Sequence, residues 1–200
     1  MNRREFLRST LFFLGTFYLS PRLLSPLLAE AALQKNITMP PILETDLAFA
    51  FPLETRLQTN RIVLHHIGGT NEDVSAADVH QWHLNNGWAG IGYHFVIRKN
   101  GSIERGRPLN AIGAHCYGYN KDSVGINLVG DFDMAEPTDA QITSVKVLTA
   151  WLCRFYQLNP KSVSTLVGHR DLNNTLCPGR NLYTQINDIR KYTINSLYLR

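Results

Sequence analysis

The amino-acid sequence predicts an α/β fold: a single domain with a central mixed β-sheet flanked by helices. Strand patterns and helix patterns alternate along the chain, which is typical of a sheet covered by helices. Residues 62–64 (Ile-Val-Leu) form an uninterrupted apolar run, as in a strand that is buried on both faces. Asn100-Gly101, between two strand-like segments, is a strong hairpin signal. A chain of 200 residues can bury one full core.

The first half of the chain contains a lead-in, a strand and a helix. Residues 32–59 are irregular and are interrupted by prolines, so we expect a linker and an ordered lead-in on the domain surface. The domain is expected to span residues 60–200 and to begin with the strand RIVLHH. GGTNEDVS then predicts a turn, and residues 75–85 have helical spacing of their apolar side chains.

The second half continues the alternation of strands and helices. YHFVI and SIERG are the predicted arms of the hairpin, and SVGINLVGD is the next strand. Thr138 begins TDAQ, a capping-box pattern that precedes a long run of apolar residues at helical spacing. TLVGH predicts the last strand, and NLYTQINDIRKYTINSL predicts one closing helix.

The N-terminus has the pattern of an export signal over residues 1–31. Arg3 and Arg4 precede Glu5-Phe6-Leu7 and a short apolar run, which resembles a twin-arginine signal, and AEA supplies a small-residue cleavage site. The apolar run is too short to span a bilayer, so we expect no stable membrane insertion after the signal is removed. These features predict an exported protein of the periplasm or cell envelope.

The charge of the chain gives little indication of a polyanionic partner. The formal net charge is +4, and the segment 1–31 holds four arginines against two glutamates. Because no basic stripe is visible in the remainder, the sequence predicts no binding of nucleic acid.

Three cysteines in a chain of this kind leave at least one unpaired, and the stretch GHRDLNNTLCPG suggests a use for it. His169 and Cys177 lie eight positions apart in loop-forming sequence, and His65 or His66 ends the first strand. Zinc in catalytic sites takes about three such ligands and keeps one position open. The alternatives are a satisfied core histidine for His169 and a packed or oxidised thiol for Cys177.

Four segments of the chain resemble one enzyme family in the order in which they occur. They are IVLHHIGGT, WHLNNGWAGIGYHFVIRKNGSIERGRP, IGAHCYGYNKDSVGINLVGDF and VGHRDLNNTLCPG, which together span roughly residues 60–190. They resemble the zinc-dependent N-acetylmuramoyl-L-alanine amidases of the type-2 superfamily, which includes phage lysozyme-like amidases and peptidoglycan recognition proteins. The resemblance implies their fold and the hydrolysis of the amide bond between N-acetylmuramic acid and L-alanine in peptidoglycan or muropeptides.

The resemblance also implies roles for individual residues. His65, His169 and Cys177 match the family's Zn²⁺ ligands, with Tyr93 and Thr175 as catalytic residues. Zinc lowers the pKa of a bound water and polarises the scissile carbonyl, while Tyr93 and Thr175 add hydrogen bonds to the water or the oxyanion. Simple core packing is the alternative for Tyr93. The residues expected to contact substrate are His66, Trp88, His115 and Asn120, and Trp88 has a core aromatic as its alternative.

Three positions depart from the cytoplasmic recycling branch of the superfamily. That branch has a glutamate on the GINL strand, a lysine before the third ligand and an aspartate as that ligand, where this chain has Asn127, Thr175 and Cys177. The chain is more similar to the recognition and phage-type members. The alternative function is therefore a non-catalytic peptidoglycan-binding recognition module, which the complete ligand set disfavours.

Overall fold

A five-stranded mixed sheet organises the protein. The computed structural model describes residues 37–198. In the sheet the strands are ordered β3–β2–β4–β1–β5, and their bounds are β1 (Arg61–His66), β2 (Phe95–Ile97), β3 (Ile103–Arg105), β4 (Ser123–Leu128) and β5 (Leu166–Gly168). β1 pairs in parallel with β4 and β5, and β2 pairs in parallel with β4. β3 is the antiparallel arm of a hairpin with β2, so the predicted mixed sheet is confirmed.

Helices cover the sheet. They are α1 (Ala76–Asn85), α2 (Asp139–Phe155), α3 (Arg180–Thr184) and α4 (Ile186–Tyr198). Ser75 and Thr138 form capping boxes at the starts of α1 and α2. Short 3₁₀ turns occupy Asn120–Asp122 and His169–Asp171. Within residues 37–198 no helix has both the length and the apolar character needed to cross a membrane.

The two faces of the sheet differ in chemistry because side chains alternate along each strand. Ile62 and Leu64 of β1 lie in the main core, to which α2 and α4 contribute. The alternate residues of β1, Val63 and His65, point to the opposite face, where a smaller apolar cluster packs under α1. This second face carries the buried histidines His65, His94 and His115.

Within residues 37–198, the closing helix differs from its prediction because it is divided in two. NLYTQINDIRKYTINSL was predicted as one helix, and the structure divides it into α3 and α4 at Gln185. The Gln185 N–H bonds the carbonyl of Leu182, three residues back, instead of the carbonyl four residues back. This tightened turn ends α3, and α4 starts at the next residue.

The lead-in is joined to the domain from residue 37 onward. Leu43 forms a parallel bridge with Glu104, and Thr55 forms an antiparallel bridge with Ala111. Arg56 is only 7% exposed and donates hydrogen bonds to the carbonyls of Leu109 and Ser123. The residues assigned to the export signal, 1–31, lie outside the described part of the chain.

Replacing Thr138 with alanine is expected to destabilise the protein by about 1 kcal/mol, the usual cost of removing an N-cap. The Thr138 hydroxyl accepts from the N–H of Gln141 and donates to the carbonyl of Lys99. Thr138→Ser keeps both hydrogen bonds, so we expect it to lose less than about half as much stability as Thr138→Ala. Urea unfolding followed by circular dichroism measures both variants, and equal stability of Thr138→Ala and the wild type would contradict the role of the cap.

Acid is expected to remove the stabilisation that Asp73 provides. Arg98 donates two hydrogen bonds to the carboxylate of Asp73, one to its backbone carbonyl and one to Glu104, which ties the segment before α1 to the hairpin. The bonds from Arg98 lower the pKa of Asp73 below its ordinary value. A carboxyl with a lowered folded pKa stabilises above the unfolded pKa, about 3.9, and loses this contribution as the pH falls through the folded pKa.

The measurement compares urea midpoints of the wild type and Asp73→Asn between pH 7 and pH 3. We expect the variant to be less stable at pH 7 and the difference to shrink toward pH 3. Glu72→Gln is the control, because Glu72 forms no ion pair within residues 37–198. A stability difference between the wild type and Asp73→Asn that is independent of pH would show that the ion pair with Arg98 contributes nothing to stability.

Candidate metal centre

Two neighbouring parallel strands bring two histidines to one edge of the sheet. His65 is the penultimate residue of β1, and His169 follows directly after the last residue of β5. Because β1 and β5 run in parallel, their carboxyl ends lie at the same edge. The rings of His65 and His169 are 4.6 Å apart between centroids.

The loop after β5 returns Cys177 to the two histidines. The N–H of Arg170 bonds the carbonyl of Cys177 at 2.8 Å, and this closes the loop. Inside it, the Thr175 hydroxyl accepts from the N–H of Cys177 at 3.2 Å. As a result, one nitrogen of His65, one nitrogen of His169 and the Cys177 sulfur all lie within 4.8 Å of one another.

The separations suit a tetrahedral zinc ion. The sulfur of Cys177 lies 3.6 Å from Nδ1 of His65. Zinc–sulfur and zinc–nitrogen bonds of about 2.3 and 2.0–2.1 Å at a tetrahedral angle place two such ligands about 3.6 Å apart. Two imidazoles and one thiolate are also a donor set that zinc favours. The residues present therefore fit the ion that the sequence predicts.

Asn173 orients the second histidine. Nε2 of His169 lies 3.1 Å from Oδ1 of Asn173, and an amide oxygen only accepts, so Nε2 carries the proton. Nδ2 of Asn173 donates to the carbonyl of Tyr117 and fixes the orientation of the amide. The lone pair of His169 is thus on Nδ1. Asn173 was not among the predicted site residues, although its position four residues after His169 is a usable signal.

Burial favours the uncharged forms of the three side chains. It lowers the pKa of His65 well below the ordinary value, and the neighbouring His169 lowers it further. The pKa of His169 is also lowered, mainly by burial. Burial raises the pKa of the Cys177 thiol to about 12, against an opposing hydrogen bond from the backbone of His66. Neutral imidazole is the form of histidine that binds metals.

Tyr93 stands beside the cluster, in the segment that leads into β2. Its ring centroid is 5.1 Å from that of His65. Burial, together with the nearby Cys177, raises the pKa of the Tyr93 phenol above its ordinary value. The phenol therefore keeps its proton, which is available for donation in a hydrogen bond.

A chain of ring contacts connects Tyr93 to the surface. The His83 ring lies 5.8 Å from Tyr93 and 4.9 Å from Trp88, with an edge-on contact to the latter. Nδ1 of His83 accepts from the N–H of Gly92, so this ring is held in place. Trp88 is 52% exposed and forms an open aromatic surface near the centre. His83 lies in the predicted helix but was not among the predicted site residues.

The other three residues expected at the substrate have partners within the protein. Nδ1 of His66 accepts from the N–H of Phe132, and the His66 ring stacks on the Phe132 ring. His115 is 8% exposed and lies behind His65, with Nδ1 2.9 Å from Nε2 of His65. The side-chain oxygen of Asn120 accepts from the backbone N–H groups of His115 and Cys116.

All three cysteines are free thiols. Cys153 is buried in the main core, and Cys116 donates from sulfur to Oδ1 of Asn173. Cys177 is therefore the cysteine that the structure places with two histidines.

The part of the chain that carries these residues is similar to known proteins. A family model described as N-acetylmuramoyl-L-alanine amidase matches residues 55–180. The endolysin of Klebsiella phage KP32 is 35% identical over 133 residues, covering 64% of this chain and 85% of the relative. Peptidoglycan-recognition protein SC2 of Drosophila melanogaster is 36% identical over 131 residues, covering 62% and 70%.

A solved structure shares the fold. It is the endolysin N-acetylmuramoyl-L-alanine amidase LysCS of Clostridium intestinale, with a TM-score of 0.69 and 37% sequence identity. The match covers 76% of this chain and 96% of that one. With the family model spanning more than half of its residues, the chain belongs to the N-acetylmuramoyl-L-alanine amidase family.

Proposed function

We propose that the protein hydrolyses the amide bond between N-acetylmuramic acid and L-alanine with a zinc ion bound by His65, His169 and Cys177. The reaction is that of the family to which the chain belongs, and peptidoglycan or a muropeptide is its substrate. One observation carries the zinc assignment: the three ligand atoms lie within 4.8 Å of one another at the carboxyl edge of two parallel strands.

The ligand set has the composition of a catalytic zinc site. His65, His169 and Cys177 would hold the ion, which would supply a Lewis acid for water and for the scissile carbonyl. His65 and His169 offer neutral nitrogens. The sulfur of Cys177 would bind as thiolate, because metal binding releases the proton of a thiol ligand. Asn173 holds the His169 ring with its Nδ1 lone pair available.

Tyr93 is the proposed hydrogen-bond donor to the carbonyl oxygen as it gains negative charge. Its phenol is protonated, and its ring lies against His65. A donor held in a buried site before reaction stabilises the developing charge without reorganisation. Asn127, fully buried on β4 opposite His65, has no carboxylate and provides no general base at that position.

Thr175 is the proposed second donor. Its oxygen already accepts from the N–H of Cys177, so its hydroxyl proton remains to be donated. The same bond orders the loop that carries the third ligand. Thr175 therefore supports both the metal ligand and the reacting carbonyl.

The surface beside the centre is suited to an extended substrate. The exposed ring of Trp88, held by His83, provides an apolar face for a sugar or a peptide stem. His66 follows His65 at the end of β1 and is half-buried. We propose Trp88 and His66 as substrate contacts. The twin-arginine pattern of the N-terminus supports export, so that the enzyme acts in the periplasm or cell envelope.

Removing the thiol ligand is expected to abolish hydrolysis. Mass spectrometry follows the release of stem peptides that begin with L-alanine from purified peptidoglycan fragments, with zinc and with a chelator. We expect release by the wild type with zinc and no release above background for Cys177→Ala or for the chelated wild type.

Cys153→Ala is the matched control, because it removes a buried thiol from the core away from the metal centre and should keep the activity. Binding of fragments without cleavage by the zinc-loaded wild type would instead support the recognition-module alternative.

Tyr93→Phe is expected to lower kcat by roughly a hundredfold, the typical loss of one oxyanion donor, and to leave zinc affinity unchanged. Tyr156→Phe is the control, since the Tyr156 hydroxyl accepts from Arg56 in another part of the fold. Steady-state rates on muropeptides and zinc titration measure the two effects separately. An unchanged kcat in Tyr93→Phe would assign this residue to packing alone.

A further inference from the structure

The two ring nitrogens of His65 face different partners. Nδ1 lies 3.6 Å from the sulfur of Cys177, and Nε2 lies 2.9 Å from Nδ1 of His115. His65 therefore presents Nδ1 to the metal centre and Nε2 to the protein interior. A neutral histidine that binds a metal through one ring nitrogen carries its proton on the other ring nitrogen.

Hydrogen bonding beneath His65 determines where that proton is. The Ser123 hydroxyl donates its only proton to the carbonyl of Tyr119 at 2.7 Å. Ser123 can then only accept from Nε2 of His115, at 3.4 Å, so that nitrogen carries a proton. Neutral His115 has its lone pair on Nδ1 and accepts from Nε2–H of His65. The lone pair of His65 is left on Nδ1, toward Cys177.

Two glycines make room for the His115 ring in this position. A Cβ added to Gly125 on β4 or to Gly113 would lie 2.5 Å from Cδ2 of His115. Neither glycine has a positive φ, so the backbone conformation does not require a glycine at either position. The space that the His115 ring occupies explains both residues. The backbone N–H of His115 is bonded to Asn120, which holds the same loop. The ring is thus packed in a fixed orientation behind His65.

We propose that His115 is a positioning residue for zinc: it accepts the Nε2 proton of His65 and so directs the Nδ1 lone pair of His65 to the ion. The chain of bonds runs from His65 through His115 and Ser123 to the carbonyl of Tyr119. This inference rests on the proposed zinc site and assigns His115 a role other than contact with substrate.

The test compares His115→Asn with His115→Leu. Asparagine places an acceptor oxygen where Nδ1 of His115 stands, and leucine has a similar shape with no acceptor. Zinc affinity is measured by competition with a chromogenic chelator. We expect His115→Leu to bind zinc roughly 10- to 100-fold more weakly, the usual cost of losing such a partner, and His115→Asn to stay within about fivefold of wild type.

His80→Leu is the matched control for loss of a buried histidine. His80 bonds the backbone of Ala48 and Ile91, away from the centre, and its replacement should leave zinc affinity unchanged. Thermal unfolding of the metal-free proteins is recorded for every variant. A purely structural role for His115 would destabilise the Asn and Leu variants alike without separating their zinc affinities.

Long-range ¹⁵N–¹H spectra of the metal-free wild type provide a second test that requires no substitution. We expect the proton on Nε2 of both His65 and His115. A proton on Nδ1 of His65, or equal zinc affinities of the Leu and Asn variants, would overturn the inference while leaving the zinc site intact. A wild type that binds no zinc would overturn the proposed function instead.

Discussion

The parallel pairing of β1 with β5 is the constraint on which the rest of the site depends. It places the end of β1 next to the end of β5, so His65 and His169 meet without help from a flexible segment. β4, on the other side of β1, contributes Gly125, whose missing side chain makes room for the ring behind His65. The third ligand then needs only a short loop that returns to the same edge, and the bond from Arg170 to the carbonyl of Cys177 closes it.

One loop supports both histidines from the protein side. The carbonyl of Tyr119 ends the hydrogen-bond chain that begins at His65. The carbonyl of Tyr117 accepts from Asn173, whose oxygen accepts from His169. The hydrogen-bond chains from both rings therefore end at backbone carbonyls that are only two residues apart. Both rings present Nδ1 to the metal centre. These hydrogen bonds hold both rings from the protein side, which makes the orientation of the ligands a property of the fold.

The sequence was informative where local chemistry decides the structure. The capping box at Thr138 and the hairpin around Asn100-Gly101 follow from contacts between near neighbours, and these predicted elements are present. The division of the closing helix at Gln185 was not predictable, because its apolar spacing continues through the break. For the site, spacing alone left open whether His65 or His66 faces the centre.

Tertiary packing determines the side-chain orientations that the sequence pattern left open. The register of β1 turns His65 toward the metal centre, while His66 stacks on Phe132. His115 and Asn120 lie in a loop that looks exposed in sequence, and the structure turns the His115 ring inward beneath His65. Such an orientation depends on space left by Gly113 in the same loop and by Gly125 on β4, and the local sequence pattern does not report where these glycines pack.

X-ray absorption at the zinc edge of the loaded full-length protein tests the central claim most directly. Zinc held by His65, His169 and Cys177 with one open position predicts one sulfur at about 2.3 Å and three nitrogen or oxygen neighbours at about 2.0–2.1 Å, two of them imidazoles. In Cys177→Ala the sulfur contribution should disappear. A wild-type spectrum with no sulfur neighbour, or one with two, would contradict the ligand set.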